Sequence, residues 1–338
     1  MTDAEVLYFR ENVLADSEDS LRDRMKNDRS FVRAYGKNRM YTGKHVATKL
    51  WVGDYSSSKS FEELAKSADG IERIAVLRAD VDNLGQAIVA GFNEKYATLS
   101  RTATLSRQLS LFFKLYINRI LNNPQFNISG CVCGEGRHAA IVYSGGDDLF
   151  IVGAWNEVIE LAIDIRRCLQ KYSENTLKIS AGIGIYEHDY PISVIAEEVA
   201  GMEDMAKKHD GKNAITFNGD VYGWEEFENE VIGSKLEVIR KFFGTCDDKG
   251  KSLLYRMLDL IAYQSDRINF ARFVYLIARL EPDVESSPEN KALYAEFSKQ
   301  MYEWLSTDDT LLRDANCRQL KTAIMIYAYM IREREDEK

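Results

Sequence analysis

Proline is scarce, with Pro 4 in 338 residues, so neither a proline-rich linker nor wholesale disorder describes this chain. Long apolar runs are missing too. No stretch approaches the ~20 consecutive apolar residues of a membrane-spanning helix, and the opening MTDAEVLYFREN lacks the basic-then-apolar pattern of an export signal. These absences place the chain in the cytoplasm without a membrane partner. Its five cysteines (Cys131, Cys133, Cys168, Cys246, Cys317) form no CxxC pair. Cys131 and Cys133 alternate along an expected strand, without the two further ligands a closed zinc site needs, so ordinary reduced thiols are expected. Positive charge is also short: Lys+Arg 44 against Asp+Glu 53 gives a net charge of -9, which argues against bulk nucleic-acid binding. The exception is Arg22 to Lys49, where nine Lys/Arg face only Asp23 and Asp28. That segment is either a local patch for RNA or a solvated charged face.

What is present is a core-forming composition, 45% hydrophobic with 29% charged residues, and enough chain for about two domains at ~150 residues each. Residues 1–70 read as a linker region. They hold a charged helical start, then YGKNRMYTGKHVATKLWVGDY, whose aromatic and β-branched residues predict a hairpin, then the polar SSSKS. From Ile71 the pattern becomes compact alternation. IERIAVLRADVDNLG is an apolar strand ending in acids, with its end expected at Asp80, and Leu99 to Leu121 is helical. Apolar runs at Phe126–Cys133 and His138–Tyr143, then SGGDD and LFIVGA, predict a hairpin turning at Gly145-Gly146. Helix over Trp155–Tyr172, strand over Leu177–Tyr186, helix over Ile192–Lys208 and strand over Ala214–Phe217 complete the order. The fold class is therefore α+β: a ferredoxin-like βαββαβ domain over residues 71–220. Residues 221–338 are expected to form an all-α four-helix bundle from Trp224–Phe243, Lys251–Leu280, Pro288–Ser306 and Asp308 to about Arg334. The bundle carries no chemical motif and reads as scaffold or as a docking surface for protein subunits.

The carboxylates carry the chemistry. Asp80 and Asp82 end the first strand, and Asp147 and Asp148 occupy the hairpin turn that a split βαβ sheet sets beside it. Converging carboxylates repel unless cations lie between them, and hard oxygen donors with an open substrate side suit Mg²⁺. Two such ions could activate a hydroxyl and neutralise a leaving pyrophosphate. Lys207, in MAKKHDGKN, ends the helix after the fourth strand and offers a cation for a triphosphate, an option shared by Lys208 and Lys212. Read structurally, those lysines simply complement a helix C-terminus before Gly211.

RADVDNLG, SGGDD, ISAGIGIY and AKKHDGKN, in this order, resemble the nucleotide-cyclase and polymerase palm that includes GGDEF diguanylate cyclases. The closer resemblance is to the second palm of the large, polymerase-like subunit of type III CRISPR effector complexes. GGDD in place of GGDEF, the preceding YGKNRMYTGKHVATKLWVGDY, LSRQLSLFFKLYIN and the terminal helices point to the Csm-type subunit.

That resemblance implies synthesis of cyclic oligoadenylate second messengers from ATP on target-RNA binding, a 3′-hydroxyl attacking the α-phosphate of another ATP and releasing pyrophosphate. It implies Mg²⁺ or Mn²⁺ held by Asp80, the Val81 carbonyl, Asp147 and Asp148. Asp80, Asp147 and Asp148 would be catalytic, and Ser144, Gly145, Gly146, Lys207 and Asn83 would contact nucleotide. Implied partners are the other protein subunits, guide RNA and target RNA. Family members carry an N-terminal HD nuclease domain and a first palm that these residues lack, so the chain is expected to be a C-terminal portion or one half of a split subunit. His188-Asp189 and His209-Asp210 imitate an HD motif without its further ligands. The family's zinc-binding cysteine cluster is absent as well. Two other readings are a structural subunit with an inactive half palm, and a dimeric diguanylate cyclase consuming GTP.

Overall fold

The computed structural model describes residues 35–38, 48–58, 60–91, 98–129, 136–245, 252–262 and 267–332, with residues 23, 26 and 27 besides. Two compact units divide the chain, residues 1–52 and 53–338. In the first, strands β1 (Tyr35–Lys37) and β2 (Thr48–Leu50) pair in parallel, with Tyr35 opposite Thr48 and Lys37 opposite Leu50. The expected hairpin is therefore corrected. Aromatic and β-branched residues signal strands but not their direction, and no tight turn can join a parallel pair. The Asn38 side-chain amide closes the arrangement: it donates to the Val52 carbonyl and accepts from the Val52 N–H, each at 2.9 Å. Most of the basic segment Arg22–Lys49, and Cys131, Cys133 and Cys246, lie outside the described residues.

The second unit is built on a six-stranded sheet. After helix α1 (Phe61–Lys66) come β3 (Ile74–Val81), α2 (Leu84–Ala90) and α3, which runs Leu99–Leu111, widens into a π segment at Phe112–Tyr116 and resumes over Ile117–Asn122. Then follow β4 (Ala139–Ser144), β5 (Asp148–Ala154), α4 (Trp155–Tyr172), β6 (Ile179–Tyr186), α5 (Ile192–Lys208), β7 (Ala214–Phe217) and β8 (Asp220–Gly223). The strand order is β4-β5-β3-β6-β7-β8, with β3 antiparallel to both β5 and β6. Its first four strands are in the predicted ferredoxin-like order. No strand forms over residues 126–129, whose apolar side chains only imitate one. β8 is an addition to the expected plan: Asn218 and Gly219, at φ 46° and 90°, make the two-residue turn that folds it onto β7. An Asn-Gly pair between apolar runs is the usual sequence sign of such a hairpin.

Alternation along β3 sorts its side chains between two faces. Ala75, Leu77, Ala79 and Val81 join the main core with Phe112, Phe113 and Ile117 of α3 and Val158, Ile159 and Leu161 of α4. On the other face Ile74 and Val76 pack with Ile195 and Val199 of α5 and with Leu64 and Ala65 of α1. Helix α5 lies close to the sheet because Gly182 of β6 has no side chain: a Cβ there would meet the Glu203 nitrogen at 2.6 Å and the Val199 carbonyl at 2.8 Å.

The connection into the hairpin is held by a buried ion network. Arg137, its side chain 2% exposed, bonds Glu160 at 2.6 Å and Asp164 at 2.5 Å on α4 and donates to the Phe126 carbonyl at 2.7 Å. Glu160 and Asp164 in turn accept from the backbone N–H groups of Ile128 and Gln125. Both buried acids thus have a cation and a donor, as an ionised interior group requires.

Beyond the sheet come α6 (a π segment Glu226–Leu236 continuing over Glu237–Thr245), α7 (Ser252–Ala262), α8 (Arg267–Ala278), α9 (Pro288–Leu305) and α10 (Thr310–Met330). Within the helical stretch expected over Lys251–Leu280 the described residues form α7 and α8, and residues 263–266 lie outside the described ones. Ser287 caps α9 through its side chain with Pro288 in the first turn, as that pair predicts. These helices share the main core with the sheet. The Trp224 indole donates to the Ile179 carbonyl at 2.8 Å, and Trp155 meets Tyr329 edge-to-face. Each such buried ring contributes roughly 1.5–3 kcal/mol. No described helix is long and apolar enough to cross a membrane.

Candidate active site

The sheet register decides which acids meet. Asp80 pairs directly with Asp148 across β3 and β5, and with Ser180 across β3 and β6. The Val81 N–H donates to the Asp147 carbonyl at 3.1 Å, which draws the hairpin turn over the end of β3. Asp147 therefore lies next to both other acids. Its carboxyl is raised by partial burial and then by the charges of Asp80 and Asp148, with Lys207 pulling the other way. The Tyr143 hydroxyl is raised first by the hydrogen bond it donates to Asp148.

Gly145 closes the turn, its N–H donating to the Asp148 carbonyl at 2.9 Å. A Cβ at this position would come 2.3 Å from the Tyr143 hydroxyl and 2.6 Å from Asp148 Oδ1. Only glycine leaves that hydrogen bond its space. At Gly146 the nearest atom to such a Cβ is Ser110 Oγ at 4.0 Å, so the outer side of the turn is open. The Ser144 hydroxyl is engaged within the protein: its Oγ donates to the Phe113 carbonyl at 2.5 Å, within the π segment of α3. The widened helical turn lets a backbone carbonyl anchor the base of the hairpin, a use in keeping with π segments at functional sites.

Lys207 comes from the opposite face. Along β3 the residues facing α5 are Ile74, Val76, Arg78 and Asp80; along α5 the matching stripe is Ile195, Val199, Glu203 and Lys207. Two strand residues advance ~6.6 Å and four helical residues ~6 Å, so the two series stay in step. The result is apolar contact at one end and ion pairs at the other. Lys207 Nζ lies 2.6 Å from Asp80 Oδ2 and 2.5 Å from Glu203 Oε1, while Glu203 Oε2 meets Arg78 Nε at 2.6 Å. Burial lowers the Lys207 ammonium, but its hydrogen bonds to Asp80 and Glu203 outweigh that and raise it overall.

Asp82 departs from the acid group. It is 6% exposed and accepts from Ser180 Oγ at 3.0 Å and the Asn213 N–H at 2.9 Å, tying β3 to β6 and to the turn after α5. Asn83 starts α2 at φ 55°, and its side-chain oxygen accepts from Lys212 Nζ at 2.6 Å. Lys208 is exposed. Glu203 and Tyr143 escaped the sequence reading; their signals are the i, i+4 spacing of Glu203 to Lys207 and the aromatic residue just before SGGDD.

Among the described residues no three His, Cys, Asp or Glu side chains are already closed around one point. The donor set nevertheless suits a hard divalent cation. Asp80, Asp147 and Asp148 offer carboxylate oxygens, and Asp147 is raised by partial burial and then by the other two acids, a cost to its charged form that a cation would offset. The His188-Asp189 and His209-Asp210 pairs form no such group either.

A sheet of this order, with acids at the end of its first strand and in the adjacent hairpin turn, defines a palm domain. Residues 73–216 match the second palm domain of Cas10/Cmr2, and residues 240–333 match the second helical domain of the Cmr2 subunit of the CRISPR RNA silencing complex. The chain carries the second palm and second helical domains of the Cas10/Cmr2 family. It is 41% identical over 313 residues to the subtype III-A Cas10/Csm1 of Mycobacterium tuberculosis, a CRISPR system single-strand-specific deoxyribonuclease, covering 90% of this chain and 37% of that one. The protein of the same description from Enterococcus italicus is 36% identical over 310 residues, covering 89% and 37%. This chain thus spans little more than a third of the length of these relatives. The crystal structure of a Csm1–Csm4 cassette in complex with cA4 superposes at a TM-score of 0.65 with 25% identity, covering 88% of this chain and 43% of that one. The Csm1–Csm4 subcomplex of the type III-A interference complex superposes at 0.66, also with 25% identity, covering 88% and 43%.

Proposed function

We propose that this chain is the nucleotidyltransferase palm of a type III CRISPR effector subunit, converting ATP to cyclic oligoadenylate when the complex binds target RNA. The observation that carries this reading is the meeting of Asp80, Asp147 and Asp148 with Lys207 at one end of the sheet. In the reaction the 3′-oxygen of one ATP bonds to the α-phosphorus of another and pyrophosphate leaves. Asp80, Asp147 and Asp148 would hold Mg²⁺ or Mn²⁺, which when bound supplies activation of the hydroxyl and neutralisation of phosphate charge. Lys207 directs its ammonium to the triphosphate. Gly146, with open space on its outer side, lets nucleotide approach the backbone. Gly145 and Ser144 shape the turn from within, and Asn83, its oxygen engaged by Lys212, presents its amide N–H₂ to base or ribose.

The palm is taken as residues 71–220 with the β8 hairpin attached, and the helices after it as the surface for neighbouring protein subunits. A Csm4-like subunit, guide RNA and target RNA complete the assembly in the cytoplasm, together with the HD and first-palm portions of the longer relatives. A second reading is a structural subunit, its half palm not competent without a partner palm. Incorporation of labelled ATP by the reconstituted complex separates the two. Oligoadenylate from wild type that vanishes with Asp147→Ala plus Asp148→Ala supports the enzyme. No product from wild type despite bound target RNA supports the inactive palm, and preference for GTP would indicate a diguanylate cyclase.

A further inference from the structure

Glu203 lies behind the acid edge rather than on it, and it is 4% exposed. The fold does not require a charge at this position. Val199 and Ile195, one and two turns earlier on the same stripe of α5, are apolar and fully buried against β3. A carboxylate here costs desolvation that an apolar residue would avoid. It survives by dividing itself between two cations, Arg78 at 2.6 Å and Lys207 at 2.5 Å. Lys207 is divided in turn, with Asp80 2.6 Å away on its other side. The four side chains alternate in sign from Arg78 through Glu203 and Lys207 to Asp80.

We propose that Glu203 is a positioning residue that holds the Lys207 ammonium between itself and Asp80, ready for the triphosphate of ATP. This rests on the nucleotidyltransferase reading. An ammonium has three donors; Glu203 and Asp80 take two and the third is left for phosphate. With Asp80 as its only anion, Lys207 would settle onto that carboxylate and neutralise the acid the site needs as an oxygen donor. Arg78 holds Glu203 from behind, so the carboxylate cannot follow the lysine forward.

The test is binding of a non-hydrolysable ATP analogue to the reconstituted complex, for wild type, Glu203→Gln, Lys207→Ala and the double variant. Each single variant should weaken binding about tenfold, the loss of one charge-assisted contact, and the double should be no weaker than Lys207→Ala alone. In turnover, Glu203→Gln should raise KM for ATP with kcat at saturating ATP little changed. Glu203→Met continues the apolar stripe and leaves only the part-exposed Arg78 and Lys207, which water can reach; it should melt close to wild type yet bind as weakly as Glu203→Gln. Losses that add in the double variant, or full affinity in Glu203→Gln beside weak binding in Lys207→Ala, would overturn the role of Glu203 and leave the enzymatic reading intact. A wild type that does not bind the analogue removes both.

Discussion

Asp80 and Asp148 face each other across the antiparallel pair of β3 and β5, two acids at one rung of the ladder. Like charges directly opposite on a sheet repel. The structure answers from both sides, with Lys207 on Asp80 and the Tyr143 hydroxyl on Asp148. Stability has been given up at this rung to keep both carboxylates.

Asp148→Asn should therefore separate stability from activity. The amide oxygen still accepts from Tyr143 while the repulsion with Asp80 and Asp147 disappears, a gain of ~0.2–1 kcal/mol. Thermal melting in the absence of divalent cations should rise by a few degrees at most, and oligoadenylate synthesis should be lost. A lower melting point would show that the cross-strand repulsion is unimportant.

The two glycines of the turn should behave differently. Gly145→Ala drives a methyl group into the Tyr143 hydroxyl and Asp148 Oδ1, so it should displace the signature acid and abolish activity even without nucleotide-binding loss. Gly146→Ala has open space and should fold normally, with any effect confined to KM for ATP. Equal effects of the two would contradict the packing inside the turn.

Arg137→Met should be severe and dependent on pH. It strands Glu160 and Asp164 in the interior, at a cost of ~3–5 kcal/mol near neutrality. Burial already pushes Glu160 up to about 7, against the pull of the Ile128 N–H and Arg137. Without the guanidinium it rises further above its unfolded value. The folded state then binds more protons than the unfolded, so stability falls as pH rises from about 4.5 through the neutral range. Urea titrations should show the deficit of the variant shrinking toward about pH 5. A deficit independent of pH would mean that the two acids find other partners.

Much of this architecture can be read from the sequence because periodicity is strong where elements are long. Helices α4 and α5 and strand β7 fall on their expected residues, and the SGGDD turn sits where its glycines predict. Direction is harder to read, as β1 and β2 show: the residues that favour strands do not distinguish parallel from antiparallel pairing. Among the acids, RADVDNLG offers Asp80 and Asp82 as equals. Only the three-dimensional neighbours, Lys207 for one and Ser180 with Asn213 for the other, assign one to the open edge and one to the interior. The anchor of Ser144 is unreadable for a similar reason, since the partner of its hydroxyl is a carbonyl of α3 far away in the chain.

The matched stride of β3 and α5 also limits how this chain can vary. Two residues of strand keep step with four of helix, and every pair in the series, from Ile74 and Ile195 to Asp80 and Lys207, depends on the same phase. A single residue inserted in the middle of α5 would turn its later half by about 100° and swing Glu203 and Lys207 off the sheet together, while leaving the acid turn itself untouched. Length changes should therefore be admitted after Lys208 or before Ile192 but not between them, so that the spacing within this helix is as much a part of the site as the residues themselves.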